Sequence, residues 1–465
     1  MASTKKGISL YFLIGIVVAA GAYLFVALRS NADKIIKPRL EKGVLDATDW
    51  CLKREGLLTL DGEWEIYYNR LLEPEDFAGQ TSVDSYFTLP GEMIQGDRID
   101  GVTFQGYATL RGVIRLKSAK PGALYGIRTL YLASSSKIYV NGKAVASEGI
   151  VSADPEIYQA QYAPMEAFFS AQTQDVEIVI QIANFHHRRV RLGEIWFGTK
   201  QGILQNTHRG VIGDSLATGC LLVISLCFFF LHFLNRRKPT SLWLAFIAFF
   251  VAMRGSIVGE RILIRMLPNF SPEWMMKLGY LPAFILLPLF VLYFRYLFDA
   301  AKLDRLSKIL GVGMALSCLL ILATDIKVYD LVFEYTQWIV AAIGLYIIYV
   351  LLANKLIVKT RGGMNVFAGG CAVLLAAVND ALRELGIVHT PEMLTLATVL
   401  FIAMQAIYLG WRLNNAFVWA EHLAMENERM VSEIQSMNAL LENKVQLRTR
   451  ELELANSELE RLARV

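Results

Sequence analysis

Ionisable and amide side chains inside long apolar stretches are the groups in this sequence whose chemistry stands out. They are Asp214, Arg254, Glu260, Asn379 and Asp380. A charge placed in hydrocarbon is costly unless it is paired, so such residues usually bind one another, an ion or a ligand. We predict that these five form a polar switch, with an Arg254–Asp380 ion pair as one arrangement. Interhelical pairs with a purely structural role are the alternative.

Aromatic and basic residues in the N-terminal part of the chain form a second candidate site, for a ligand. Tyr67 and Tyr107 could stack on the face of a sugar ring. Four consecutive basic residues could hold an anion through charge-assisted hydrogen bonds: His186, His187, Arg188 and Arg189. These four could equally face lipid headgroups or the top of a helix bundle. An aromatic residue in a strand is more often part of the core, and we predict this for Trp64.

Several classes of chemistry have no counterpart in the sequence. No Cys/His spacing resembles a zinc site, and no phosphate-binding glycine loop, nucleophile elbow or catalytic triad is recognisable. Of the five cysteines, only Cys51 lies outside an apolar stretch, which excludes a disulfide within the N-terminal domain. The net charge is only +4. We expect no catalytic residue, no metal, no cofactor and no nucleic-acid partner.

The elements that position the polar switch are seven apolar segments between residues 209 and 413. They cover residues 211–234, 241–259, 274–298, 309–324, 338–354, 364–388 and 394–413. About 20 helical residues cross a hydrocarbon core of roughly 30 Å. Only a helix satisfies its backbone hydrogen bonds within one segment in lipid. We therefore predict a bundle of seven transmembrane helices.

The positive charges between these segments predict how the chain is oriented. They are concentrated in alternate links: 235–238, then Lys302, Arg305 and Lys308, then Lys355, Lys359 and Arg361. The positive-inside rule places these links and the C-terminus in the cytoplasm, and the N-terminal domain on the outer side of the membrane. An apolar run at 8–28 follows a short cytoplasmic N-terminus (1–7). It is either an eighth, anchoring span or a cleaved signal segment.

Residues 40–200 have the composition of strands and turns. Apolar residues alternate with others at 176–182, as a strand with one buried face requires. Residues 137–145 contain the pair Asn141-Gly142, which is typical of the turn of a β-hairpin. We predict a periplasmic β-sandwich over this range.

The C-terminal segment, 414–465, has the pattern of a cytoplasmic coiled coil. Apolar residues recur at steps of three and four: Met430, Ile434, Met437, Leu441, Val445, Leu452, Ala455, Leu459 and Leu462. Two steps of four adjoin at Leu441, which is a stutter that locally unwinds a supercoil. We expect a parallel homodimer through 430–462.

The order of these parts resembles a known family. The stretches LDGEWEIYY (60–68), GYATLR (106–111) and YVNG (139–142) are similar to jelly-roll, galactose-binding-like domains. Followed by seven helices, they resemble the bacterial 7TM receptors with diverse intracellular signalling modules. The charged string 448–464 is similar to the helices that in this family lead into a diguanylate cyclase or a histidine kinase.

We therefore interpret the chain as a transmembrane sensory receptor without a catalytic domain of its own. The resemblance implies a small periplasmic ligand, with carbohydrate as one option, and a cytoplasmic output enzyme. Two other classes remain open. One is a transporter or channel with an appended binding domain, and the other is a dimeric membrane scaffold that binds no ligand.

Overall fold

A computed structural model describes residues 37–462, apart from residues 80, 100, 118–121, 172, 235–238, 360–362 and 385–392. The apolar run 8–28 and the basic link 235–238 lie outside the described residues, so the anchor and the orientation of the chain stay predictions. The chain divides into two compact units, with the boundary between Ile402 and Ala403. The first unit contains a β domain followed by helices, and the second contains the remainder of the last helix.

The β domain ends where its last strand runs directly into the first helix, at Thr199 and Lys200. Its strands, among the described residues, are β1 (Leu40–Glu41), β2 (Val44–Ala47), β3 (Leu58–Thr59), β4 (Gly62–Tyr68), β5 (Ser85–Leu89), β6 (Gly91–Ile94), β7 (Arg98–Ile99), β8 (Val102–Thr103), β9 (Tyr107–Leu116), β10 (Leu124–Thr129), β11 (Ser135–Val140), β12 (Lys143–Glu148), β13 (Met165–Ser170), β14 (Asp175–Ala183), β15 (Arg189–Leu192) and β16 (Ile195–Thr199). A 3₁₀ turn, Pro74–Ala78, interrupts them.

Two larger sheets share one apolar core. In the described part of the chain, one sheet has the order β12-β11-β14-β9-β2-β1-β4-β5, and the other has the order β13-β10-β16-β3. Trp64, Leu110 and Ile180 from the first sheet lie in the same buried cluster as Ile127 and Phe197 from the second. The structure thus confirms a β-rich N-terminal domain, and the jelly-roll topology stays a prediction.

The predicted hairpin and the predicted core tryptophan are both present. Strands β11 and β12 pair with Val140 opposite Lys143. The two turn residues, Asn141 and Gly142, have φ values of 46° and 80°, as a two-residue turn of type I′ requires. Trp64 is fully buried, and its indole N–H donates to the carbonyl of Leu60 over 3.0 Å.

The helices follow the β domain without a linker. Those described are α1 (Lys200–Leu234), α2 (Thr240–Ile257), α3 (Ile262–Met266), α4 (Pro272–Phe298), α5 (Asp304–Ala323), α6 (Ile326–Ala353), α7 (Leu356–Lys359), α8 (Gly363–Glu384) and α9 (Leu394–Leu462). Six helices in this part of the chain are long and apolar enough to cross a membrane: α1, α2, α4, α5, α6 and α8. The predicted seventh span coincides with the start of α9, where the apolar stretch Leu394–Tyr408 is shorter, so it stays a prediction.

The start of α9 packs tightly against two other helices. The ring of Phe401 lies 5.7 Å from that of Phe290 and 6.0 Å from that of Tyr293, both on α4. A Cβ at Gly369 of α8 would come within 2.8 Å of Phe401, and one at Gly370 within 2.8 Å of Phe294. The two glycines therefore permit close helix packing, as small residues commonly do between membrane helices.

Replacing Trp64 by alanine tests the assignment of the β-domain core. Because it would leave a large cavity beneath both sheets, Trp64→Ala should lower the free energy of unfolding by about 3–5 kcal/mol. Pulse proteolysis of the full chain in detergent micelles would measure this. Tyr86→Ala, on the exposed side of β5, is the matched control and should change stability little. Equal effects of the two variants would contradict the core assignment.

Candidate functional site

The loop 258–261, between α2 and α3, carries two charged residues into contact with the β domain. Gly259 and Arg261 have φ values of 71° and 53°, in the left-handed region, so the chain turns sharply after α2. Glu260 is only 7% exposed and binds Arg128 on β10. Arg261 donates to the carbonyl of Tyr162. This loop is therefore a direct connection between the helices and the β domain.

Arg128 lies at the centre of this connection. It is 2% exposed, and its Nη2 forms an ion pair with Oε1 of Glu260. Its Nη1 donates to the side-chain oxygen of Asn206 on α1, and its guanidinium lies 5.3 Å from the centre of the Trp196 ring. The Nε is 4.0 Å from Oε1 of Glu166 on β13. A buried guanidinium needs such a set of anions and acceptors, because an unpaired charge would be strongly destabilising there.

Arg265 on α3 completes a network of alternating charges. Its Nη2 lies 3.1 Å from Glu166 and 3.3 Å from Glu260, and its Nε donates to the Glu260 carbonyl over 2.9 Å. We call Arg128, Glu166, Glu260 and Arg265 the docking network. Two arginines balance two glutamates, and each domain supplies one of each sign.

Helix α1 supports the docking network from one side. Oδ2 of Asp214 accepts a hydrogen bond from the backbone N–H of Glu260 over 2.8 Å. A Cβ at Gly210 would overlap the Glu260 carboxylate, so α1 can approach the loop only because a glycine stands there. Two members of the predicted polar switch, Asp214 and Glu260, are thus in contact.

The other three predicted switch residues lie elsewhere and have other partners. Arg254 points its Nη1 at the carbonyl of Gly279 on α4, at 3.5 Å. The carboxylate of Asp380 accepts from the backbone N–H groups of Met393 and Leu394, at 2.9 Å each, and so caps the start of α9. Asn379 donates to Asp380 over 3.0 Å. The suggested Arg254–Asp380 pair is therefore not formed between these described side chains.

The two predicted sugar-stacking tyrosines have different environments. Tyr67 is 1% exposed: Phe77 lies over it at 5.3 Å, and its hydroxyl donates to Glu65 over 3.1 Å. Burial raises its pKa to about 12. Tyr67 is consequently part of the packed interior, and its contact with a ligand stays a prediction. Tyr107 is half-buried and lies 6.3 Å from Phe185.

The residues of the basic patch differ in their partners and in their exposure. His187 shares a hydrogen bond of 2.9 Å with the hydroxyl of Tyr162, and the carboxylate of Asp330 on α6 is one of the charges that acts on it. Arg189 forms an ion pair of 2.6 Å with Glu92. His186 and Arg188 are exposed. The partners of His187 and Arg189 thus lie in the β domain, and whether the patch binds an anion, lipid headgroups or the helices stays open.

Sequence reasoning missed Arg128, Glu166 and Arg265 as site residues. The signal for Arg128 was present. It follows Tyr125, Gly126 and Ile127 in a strand that is buried on both faces, where a lone charge demands a partner. The strand pattern does not identify that partner, because Glu260 is 132 residues away in the sequence.

These features define a multi-pass membrane protein whose N-terminal β domain is docked on its helices by buried charges. Residues 212–412 match the family model described as 7TM diverse intracellular signalling. The matched range covers the helical part of the chain. No curated protein matches the chain.

Solved structures similar to part of the chain are enzymes that act on sugar acids. A β-glucuronidase from Ruminococcus gnavus is 12% identical, with a TM-score of 0.23 over 31% of this chain and 29% of the enzyme. A β-glucuronidase from Faecalibacterium prausnitzii is 18% identical, with a TM-score of 0.21 over 27% of this chain and 21% of the enzyme. A β-galacturonidase from Eisenbergiella tayi is 13% identical, with a TM-score of 0.22 over 31% of this chain and 24% of the enzyme. The chain thus spans less than a third of these enzymes, and TM-scores of this size do not establish a shared fold.

Replacing Arg128 alone should lower the stability of the protein more than replacing Arg128 and Glu260 together. Arg128→Met removes the buried cation of Glu260 and leaves it only the more exposed Arg265, and breaking a buried pair in this way costs up to about 3–5 kcal/mol. Adding Glu260→Gln should restore part of that loss, since both charges are then gone. Thermal unfolding of the single and double variants in micelles would give the coupling.

The exposed pair Arg115–Asp175 is the matched control for this cycle. Arg115→Met should leave stability nearly unchanged, because exposed ion pairs contribute little. Strictly additive effects of Arg128→Met and Glu260→Gln would contradict the network.

His187 should make the docked structure sensitive to acid. Burial lowers the pKa of His187 to about 4, so the docked protein favours the neutral ring. The contribution of His187 to stability should therefore be fully present above the ordinary histidine pKa of about 6.5 and decline as the pH falls toward 4. His187→Gln should flatten that slope, as measured by thermal unfolding against pH. His208→Gln, an exposed position on α1, should keep the wild-type slope, and a wild-type slope in His187→Gln would refute the assignment.

Proposed function

We propose that the chain is a sensory receptor of the bacterial inner membrane. In this proposal the β domain lies in the periplasm and binds a small ligand, and the seven-helix domain relays the binding event to the cytoplasm. The single observation that carries the proposal is the docking network, in which Arg128 of the β domain is paired with Glu260 of the helices inside the protein. A domain held only by a flexible tether would have no need of such a buried connection.

The covalent connection is as direct as the electrostatic one. Strand β16 ends at Thr199 and α1 begins at Lys200, and the Thr199 hydroxyl accepts a hydrogen bond of 3.1 Å from the N–H of Gly202. A shift of the sheet that contains β10 and β16 would therefore move α1 as well as the loop 258–261. A ligand needs only to bind one of two arrangements more tightly, and coupling of about 1–3 kcal/mol is typical.

The ligand surface that we favour lies beside the docked region. Phe185 lies 6.3 Å from Tyr107 and 5.2 Å from Tyr158, and His186 lies 5.6 Å from Tyr158. These rings and the exposed Arg188 would suit a small carbohydrate, through stacking and charge-assisted hydrogen bonds. The family resemblance supports the same class of ligand.

The relay that we propose ends in a dimer of α9. This helix has 69 residues, and its seam residues Met430, Ile434 and Leu441 are all exposed in the single chain. Burial against a second copy would remove these side chains from water. The stutter at Leu441 would give the coil two nearly equivalent registers for an output enzyme to read, and we propose a diguanylate cyclase or a histidine kinase.

A transporter or channel is the rival class. It would place its charged residues along a path through the bilayer and commonly contains internal repeats. Four of the charges described here are instead gathered where the β domain meets the helices, as the docking network. That placement favours transmission between domains over transport.

A panel of neutral and acidic mono- and disaccharides tests the ligand class. At least one sugar should raise the Tm of the full chain in nanodiscs by mass action, and Tyr107→Ala should reduce that shift. Tyr86→Ala, which is remote from this surface, is the control. If no sugar stabilises the protein, the carbohydrate proposal fails and the ligand-free scaffold gains support.

Cysteine cross-linking tests the dimer of α9. In a chain whose native cysteines are replaced, Ile434→Cys and Leu441→Cys should form disulfides between two copies, because both lie on the seam of a parallel coil. Ser432→Cys, on the opposite face, is the control and should cross-link far less. Equal cross-linking at all three positions, measured on non-reducing gels, would refute the parallel seam.

A further inference from the structure

A buried carboxyl group beside the docking loop is not used by the docking network. Glu148, the last residue of β12, is 4% exposed. Its Oε1 has no hydrogen-bond partner among the described residues, and the carboxyl group accepts from the backbone N–H of Ala163. A charged carboxylate with so few donors would be poorly solvated at this depth. A neutral carboxylic acid suits the site better.

The nearest cation does not resolve this shortage of donors. Arg261, from the loop 258–261, acts on Glu148 through its charge, but its Nη1 donates to the carbonyl of Tyr162. The rings of Tyr131 and Tyr162 lie 5.7 Å and 5.9 Å from the Arg261 guanidinium and occupy its faces. The β domain and the helices thus bring a cation close to Glu148 without closing an ion pair.

The other titratable groups around this position come from several elements. They are Tyr131 between β10 and β11, Tyr158 and Tyr162 between β12 and β13, His187 between β14 and β15, and Tyr329 on α6. His187 is the member of this group that ionises in the acid range, and it is neutral above about pH 6.5. Between that pH and about 9, Glu148 is the group here whose charge can change.

Burial raises the pKa of Glu148 to about 8, and Arg261 opposes this only in part. An acid with a raised pKa binds its proton more tightly in the docked state than in the undocked one. The contribution of Glu148 to docking is therefore greatest below the ordinary glutamate pKa and weakens as the pH rises toward the raised value.

We propose that Glu148 takes up a proton when the β domain docks on the loop 258–261 and releases it on undocking. The pH of the solution bathing the β domain is then a second input to the helices, besides any ligand. Only the consequence for signalling rests on the proposed receptor function. The docking step itself can be measured without ligand or output enzyme.

Two measurements on the full chain in nanodiscs test this proposal. Infrared spectroscopy should find a carboxylic acid C=O band that disappears with a midpoint near pH 8 in the wild type and is missing in Glu148→Gln. Hydrogen exchange, corrected for its intrinsic pH dependence, should show protection of residues 149–164 falling about 30-fold between pH 6.5 and 9. Glu148→Gln should keep that protection nearly constant, because an amide cannot ionise.

Glu156→Gln, an exposed carboxylate in the same loop region, is the matched control and should follow the wild type. A carboxyl band that titrates near pH 4.5, or a wild-type loss of protection in Glu148→Gln, would overturn the proposal. If Glu148→Gln does not fold, the same two measurements on the unmodified chain still test the proposal. Its protection must then fall as the pH rises and level off at the pH where the carboxylic acid band disappears, and a difference of more than about one pH unit between these two values would overturn the proposal.

Discussion

The buried ion pair between Arg128 and Glu260 is the interaction on which the arrangement of this protein depends. Each residue is the nearest opposite charge of the other, and losing either would be costly because both are removed from water. The pair therefore sets a condition on the two domains: the β domain is stable in contact with the helices only where the loop 258–261 reaches β10. Apolar contacts alone would tolerate many docked positions, whereas a buried charge selects one.

This condition explains several features that would otherwise be unrelated. Gly210 leaves room for the Glu260 carboxylate, and the left-handed turn at Gly259 aims the loop at the β domain. Asp214 holds the backbone of Glu260 in place. Glu166 and Arg265 extend the pair into a neutral set of four charges. Each feature supports the position of one carboxylate between two domains.

The sequence was sufficient to predict the elements that depend on local patterns. The period of two at 176–182, the Asn141-Gly142 turn and the long apolar runs are all patterns of residues close together in the sequence. The elements that they predict are present as β14, the hairpin and six candidate spans. Trp64 was also placed correctly, since a large aromatic side chain in a strand is most stable in the core. The pattern at 176–182 did not predict that the second face of β14, with Val179 and Gln181, is buried as well.

Contacts across the domain boundary could not be predicted in the same way. Asp214 and Glu260 were identified as costly polar residues, but their partner Arg128 lies in a strand and shares no local pattern with them. The burial of Tyr67 could not be predicted either, because the segment that covers it, with Phe77, is a 3₁₀ turn whose position the strand pattern does not encode. A charged residue in an apolar stretch can be identified from the sequence, but its partner depends on the tertiary fold.

The most direct test of the central claim is the distance between two copies of α9 in the full-length chain. Spin labels at Ser432 in nanodiscs would report it by pulsed electron paramagnetic resonance. If Arg128 and Glu260 couple the β domain to the output helix, Arg128→Met should alter the distribution of distances, and the further change Glu260→Gln should move it back toward the wild type. Identical distributions in all three proteins, with the β domain still folded, would contradict the account.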